Sequence, residues 1–547
     1  MGGNLIVFKP EHTTGAEGER WTAVSADSGL IEKTGNPREM SEWLAAAAAR
    51  GDVVAEEHIG GALLPAMTEG HNHTLVYSTF EMLNAASMLG CKDKEDALKR
   101  LKSAAARIKE PGRPAFAVAL DTSKVPDLTR AGIDEALGGA PAFVLDISLH
   151  SGIVSSAMAA RVSAAAAAFN RPLAGELKDN GFVSEEYTMR ALEVVESDQP
   201  QEKISAAIER KLASYFEKGV TTAHDLMPAT TNQFIAALRL RKKWKEEKPF
   251  GFPITKFYLN KFQIMDVLSR IGDLESEGLM SREEMRGLIG IKMFADGAFG
   301  AHTAKVATPY ADTGGTGMFF TTAEEMRADI KWALETGLQH AAMHAIGDAG
   351  IGLAIEGARA WAELAPKFGA GMNFRIEHFQ MPLPVAPTIE AAKAAGAWLC
   401  MQPNFLLDYN YADRLGDRVK EMCPHEAVAA SGIPLFFGTD GMPDSMLFGI
   451  WLATHAAHPP QRMSPDACIE AACAEAARFE GVRRGRIADG FAADLILADA
   501  KLIGELDTPT EPDGSMSMMK MFELEGHIKK VFKDGSQVYP KKKPAAK

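Results

Sequence analysis

The chain reads as an α/β protein, a (β/α)8 TIM barrel with a small β-sandwich domain built from both chain ends. Two observations predict this. From Thr221 onward, short β-rich segments alternate with helical ones, the order produced by parallel strands joined through crossover helices. In addition, five strand-like segments finish in residues of metal-ligating type, and a barrel of this kind assembles its active site at the C-terminal ends of its strands.

The first strand runs into His71 and His73, in Pro65-Ala-Met-Thr-Glu-Gly-His-Asn-His. Residues i and i+2 of a strand share a face, so the two imidazoles converge as a pair of nitrogen ligands for Zn²⁺ or a similar ion would. Alone, a His-x-His pair is explained as well by two ordinary histidines. The other seven strands are Thr221–Asp225, Ile254–Leu259, Gly290–Ala295, Gln339–His344, Phe374–His378, Trp398–Gln402 and Pro434–Gly438. Ligand-type residues close four of these segments: Asp296, His344, His378 and Asp440. Asp440 by itself, after Gly438-Thr439, also suits a helix N-cap.

Between the first and second strands lies an insertion, roughly Thr74 to Lys218, rich in alanine and helical pattern. Insertions at this face of a barrel become lids or pocket walls. Residues 1–64 and 481–547 carry short strand patterns such as Trp21-Thr-Ala-Val-Ser, Val53-Val-Ala-Glu, Ala493-Asp-Leu-Ile-Leu and Ile528-Lys-Lys-Val-Phe. These ends are expected to form the sandwich, leaving 65–480 as the barrel with its insertion at about 74–218.

At 547 residues the chain is long enough for a large core. The net charge of −13 argues against nucleic acid or an anionic membrane as partner. The basic end, Lys541–Lys547, reads as a solvated tail. The five cysteines show no Cys-x-x-Cys spacing, so neither a disulfide framework nor a zinc knuckle is expected. No secretory leader is legible, and no apolar run approaches the roughly 18 residues a membrane span needs. The expectation is a cytoplasmic protein acting on a small-molecule substrate.

A set of ordered motifs then gives a family likeness: Gly219-Val-Thr-Thr-Ala-His-Asp, Lys292-Met-Phe-Ala-Asp-Gly-Ala-Phe-Gly-Ala-His-Thr-Ala, His344-Ala-Ile-Gly-Asp and Arg375-Ile-Glu-His-Phe-Gln, followed by Gln402-Pro-Asn, Gly438-Thr-Asp and Gly485-Arg-Ile-Ala-Asp-Gly-Phe-Ala-Ala-Asp-Leu. With these, nearly the whole chain resembles the amidohydrolase superfamily, and within it the YtcJ-like group, amidohydrolase family 3, which includes N-substituted formamide deformylases.

The resemblance implies a metal centre held by His71, His73, Lys292, His344, His378 and Asp440, taking two Zn²⁺, with Mn²⁺ or Fe²⁺ as alternatives. Lys292 matches a position that is carboxylated in many members. A neutral amine that captures CO₂ becomes an anionic bridge between two cations, whereas the alternative is an ordinary lysine paired with Asp296. The implied reaction is hydrolysis of a C–N bond in an amide, formamide or cyclic amide by metal-activated water. Asp440 serves as general base and then as acid towards the leaving nitrogen. His150, Asp296, Phe299 and His302 are implied substrate contacts. Asn72 and Glu377, each beside a ligand, are expected to face away from the site, Glu377 towards a helix. His224 and Asp225 either support the ligands or are satisfied core groups.

The sequence departs from the family pattern at Ala66-Met67, His302, Ala349 and Thr439, positions that shape the pocket and leave the ligand set intact. The other readings are a mononuclear deaminase or esterase of the same superfamily, and a barrel used only for binding. Family members often pair, so a homodimer is compatible with the likeness.

Overall fold

The computed structural model describes residues 3–540 apart from 14–17, 84, 123, 168–172, 174, 198, 248–250, 408–410 and 508–517. The basic end 541–547 lies outside the described residues. No helix among the described residues is long and apolar enough to cross a membrane.

The eight expected strands are present: β1 Met67–Asn72, β2 Val220–Leu226, β3 Ile254–Leu259, β4 Ile289–Phe294, β5 Ala341–Ala345, β6 Phe374–His378, β7 Trp398–Met401 and β8 Leu435–Phe437. They pair in parallel in that order, each with the next in sequence. The seam between β8 and β1 closes where the Asp440 amide donates to the His71 carbonyl at 2.7 Å. Glycine is required on both sides of that seam. A Cβ on Gly70 would stand 2.4 Å from the Phe437 carbonyl oxygen, and one on Gly438 would stand 2.3 Å from the His71 nitrogen.

Helices cover the outside of the barrel, and their sequences explain why. Gln201–Glu217 buries Ile204, Ile208, Leu212, Tyr215 and Phe216, spacings that put one apolar stripe against the strands. Asn260 with Gln263, Ser281 with Glu284 and Thr322 with Glu325 form capping boxes that start the following helices. The lumen is different. Arg375, wholly buried, sits inside it with its guanidinium over the rings of Tyr258 and Phe436 at 5.0 and 4.7 Å. The helix Glu475–Glu480 plugs the bottom with Phe479 and Glu480.

The insertion is more than helical. Strands Ala86–Ser87, Ala115–Leu120, Ala142–Asp146, Ser151–Val154 and Phe182–Ser184 form a five-stranded sheet in sequence order. Helices pack on both faces of this sheet, burying Ala97, Leu101 and Ile133 on one side and Met158, Val162 and Leu192 on the other.

The two chain ends come together as expected, in a seven-stranded sheet whose central strand, Val53–Pro65, pairs with Asn4–Thr13 on one side and Leu495–Ala498 on the other. All seven strands belong to one hydrogen-bonded sheet, and its curl makes the sandwich. Phe8 and Phe532 lie on strands three spacings apart, about 14 Å in a flat sheet, yet their ring centroids are 5.1 Å apart.

Candidate metal centre

Four histidines meet above Arg375. The ring centroids of His71 and His378 are 4.8 Å apart, those of His344 and His378 4.4 Å, and those of His71 and His73 5.5 Å. Asp440 Oδ1 lies 3.6 Å from His71 Nε2 and 3.2 Å from His73 Nε2. Lys292 lines the same cavity and is buried.

Each imidazole is oriented by an acceptor behind it. His71 Nδ1–H donates to Glu377 Oε2 at 2.5 Å, and His378 Nδ1–H donates to Gln402 Oε1 at 2.8 Å. His73 Nδ1–H reaches the Met227 carbonyl at 3.3 Å, and His344 Nε2–H the Gly297 carbonyl at 3.0 Å. An acceptor on one ring nitrogen fixes the proton there and leaves the other nitrogen with a free lone pair. This is the arrangement of metal-ligating histidines.

The electrostatics agree. Burial first, and neighbouring positive groups second, hold His71, His344 and His378 well below the ordinary histidine value, so they are neutral. Burial pushes the Asp440 carboxyl up, but His71, His73 and Lys292 outweigh it and keep it ionised. Burial brings the Lys292 ammonium down to about 8 in spite of Glu377 and Asp440 nearby. Two buried atoms in this cluster, His71 Nε2 and Asp440 Oδ1, have no hydrogen-bond partner among the described residues. Orphaned buried polar atoms are costly, and here both point into a group, His71, His378 and Asp440, whose ligand atoms all lie within 4.8 Å of one another. The donor set therefore fits a divalent cation of zinc type. A neighbouring group, His71 with Glu377 and Cys400, fits one less well. Glu377 is held by Arg375, and burial keeps the Cys400 thiol protonated.

The sequence profile of the amidohydrolase family matches residues 59–539. The chain belongs to the amidohydrolase family. YtcJ of Bacillus subtilis (strain 168), assigned by name to the amidohydrolases, is 25% identical over 452 residues, 78% of this chain and 78% of that protein. Among solved structures, an uncharacterised metal-dependent hydrolase of Pyrococcus furiosus superposes with a TM-score of 0.63 at 21% identity, covering 90% of this chain and 98% of that one. One from Pyrococcus horikoshii OT3 gives 0.65 at 20% identity, covering 90% and 97%. At that identity the likeness is one of fold.

In this amidohydrolase the expected residues are distributed unevenly. His71, His73, Lys292, His344, His378 and Asp440 are brought together. His150 stands beside them, its ring 5.3 Å from that of His344 and its Nδ1 2.8 Å from Glu185 Oε2. Phe299 lines a smaller cavity that also meets the cluster. Asp296 and His302 are in the wall of neither cavity. Asp296 instead accepts from the Lys305, Ile346 and Gly347 amides at 2.8, 3.0 and 2.8 Å, pinning two loops, while His302 Nε2 turns to Asp312 at 2.8 Å.

Glu377 corrects the expectation that it faces outward. It is wholly buried and bonds His71. Strict alternation along β6 would put residues 377 and 378 on opposite faces, but His378 has φ +72° and Phe379 φ +47°. Arg375 and Glu377, two apart, share the lumen face as alternation requires, and the left-handed step is what turns His378 inward beside them. Asn72 points away as expected, donating to Thr439 Oγ1 at 3.0 Å. His224 supports the ligands at one remove. Its Nδ1 accepts from Arg375 at 2.8 Å, its Nε2–H donates to Glu480 at 2.7 Å, and Arg375 clasps Glu377. Asp225 caps the helix after β1 by accepting from the Leu75 amide at 3.0 Å. Sequence reasoning missed Glu69, whose carboxyl burial raises to about 8 and which joins β1 to β8 through the Thr439 hydroxyl at 2.5 Å. Its place two residues before His71 on the same strand was the one available signal.

Proposed function

We propose that this protein is a metal-dependent amidohydrolase that hydrolyses a C–N bond of a small amide, formamide or cyclic amide. The observation that carries the reading is the set of four histidines, each anchored through one ring nitrogen, gathered around Asp440 with His71 Nε2 and Asp440 Oδ1 left open among the described residues.

His71, His73, His344, His378 and Asp440 would hold the metal, zinc by preference, and Lys292, once carboxylated, would add an anionic ligand that allows a second ion. Carboxylation forms a bond from Nζ to CO₂ and releases one proton, and the lowered value of the buried amine favours it. When bound, the metal supplies Lewis acidity, bringing the pKa of a water towards about 7 and polarising the substrate carbonyl. Asp440 Oδ1 takes the proton of the attacking water and returns it to the leaving nitrogen, which an amide requires because its anion is a very poor leaving group. His150, whose ring lies beside that of His344, takes the role of donor to the oxyanion in this reading. Burial lowers its value, but the charge of Glu185 more than restores it, so the ring is biased towards imidazolium and offers a charged donor.

The test is metal analysis with turnover on a panel of N-acyl, N-formyl and lactam compounds. Two equivalents of metal, loss of turnover in chelator and its return with Zn²⁺ are expected. Full turnover in metal-free protein, or a fully loaded protein inert to every C–N compound, would overturn it.

A further inference from the structure

Two cavities meet at the histidine cluster, and His150, His344, His378 and Asp440 line both. An amide whose carbonyl lies at that cluster has one cavity available for each of its two substituents. The cavities differ in size and in chemistry.

The larger, about 550 Å³, is walled by Met189, Met227, Met293, Met326, Phe294 and Phe320. Thioethers and rings make an apolar, adaptable surface. The cations at its edge are already engaged, Arg190 with Glu193 at 2.5 Å and Lys261 with Asp329 at 2.6 Å. Phe262 both lines it and is 39% exposed, so the way in is apolar too. The smaller, about 250 Å³, is lined by Asp121, Lys124, Asp146, Ser148, Gln380 and Arg414. Most of its polarity is spent internally: Lys124 pairs with Asp121 at 3.2 Å, and Asp146 accepts from Thr122 and Ser148. Gln380 is the exception. It is 1% exposed, and the one partner its amide touches is the Tyr411 hydroxyl, so at least one of its two Nε2–H donors has no acceptor among the described residues. A buried amide N–H without an acceptor is one that a ligand oxygen would satisfy.

We infer that the substrate is an amphiphilic amide, with a bulky aryl or alkyl substituent in the methionine-lined cavity. On the other side of the scissile bond it carries a compact group with a hydrogen-bond acceptor for Gln380. The inference rests on the hydrolytic reading above and specifies what that site takes. A cavity of about 550 Å³ is within the ordinary range for small ligands.

The experiment measures binding to the zinc-loaded full-length protein by calorimetry. It uses ketone analogues in which CH₂ replaces the amide N–H, so that nothing is cleaved. One analogue carries a phenylhexyl and a carboxymethyl group, a second has methyl for phenylhexyl, and a third lacks the carboxylate. The first is expected to bind at least tenfold tighter than the second. Ala328→Trp and Met189→Trp, which fill the large cavity, should remove that advantage and leave the second analogue within twofold. Gln380→Met should weaken the first at least fivefold and spare the third. Equal binding of the first two analogues to the wild type, or unchanged binding in filling variants that keep the wild-type Tm, overturns the inference. Turnover of the matching amides is read separately. Selective binding without turnover of any amide defeats the hydrolytic reading, whereas turnover that favours the methyl compound defeats the inference and leaves hydrolysis standing.

Discussion

The lower lumen of the barrel and its mouth both bury charge, and they handle it in opposite ways. Below, Arg375 is engaged by Glu377, His224 and the Gly70 carbonyl, and His224 donates its Nε2–H to Glu480. Above, His71 Nε2 and Asp440 Oδ1 are buried with nothing to bond among the described residues. Burial alone therefore does not mark the site; open ligand atoms of the right chemistry gathered within reach of one another do. His71 belongs to both regions, satisfied on the side of Glu377 and open on the side of Asp440, and it is the joint through which the lower network orients the upper one.

The sharpest way to break this contrast is Asp440→Asn. An amide cannot serve as base, and turnover should fall by about 10³-fold, while the metal-free Tm stays within a few degrees. Retained turnover would remove Asp440 from the chemistry. Next comes Arg375→Met, which strands Glu377 and should destabilise the fold by about 3–5 kcal/mol, read from urea unfolding. Stability equal to wild type would mean the lower network is dispensable. Glu377→Gln probes the joint directly. Zinc affinity, measured against a competing chelator, should drop about 10–100-fold without loss of the metal-free fold.

A subtler test uses pH. Glu480 is held at about 2 against an ordinary 4.5, because His224 and Lys256 outweigh the cost of its burial. A folded-state value below the unfolded one stabilises above about pH 4.5, and that stability drains as pH falls towards 2. The stability gap between wild type and Glu480→Gln should therefore be full near neutrality and close on acidification. A gap that is constant across pH would show that charge is not its source. The smallest effect is expected at His302→Asn, since that imidazole serves Asp312 rather than a cavity. Catalytic efficiency should stay within about threefold.

Much of this was legible before any coordinates. Strand positions follow from local β-pattern, and ligands at strand ends follow from the one face a barrel offers for chemistry, so His71, His73, His344, His378 and Asp440 could be read in order. Glu377 could not. With His378 taken as the inward residue, alternation sends Glu377 outward; the left-handed turn at His378 and Phe379 is what lets His378 join a lumen face that Glu377 already shares with Arg375. Asp296 reads as a pocket residue because it follows the Lys292 strand, but three amides from two loops claim it.

The sequence by itself determined the barrel, the union of the chain ends and the chemical identity of the cluster, because period, residue type and motif order are local properties. Only the tertiary structure decided which neighbours of the ligands turn inward, which charges are already spent, and that two unlike cavities meet at the cluster. Those outcomes depend on strand register, on closure between β8 and β1, and on where the insertion packs. Distances between residues hundreds of positions apart are not written in any single segment.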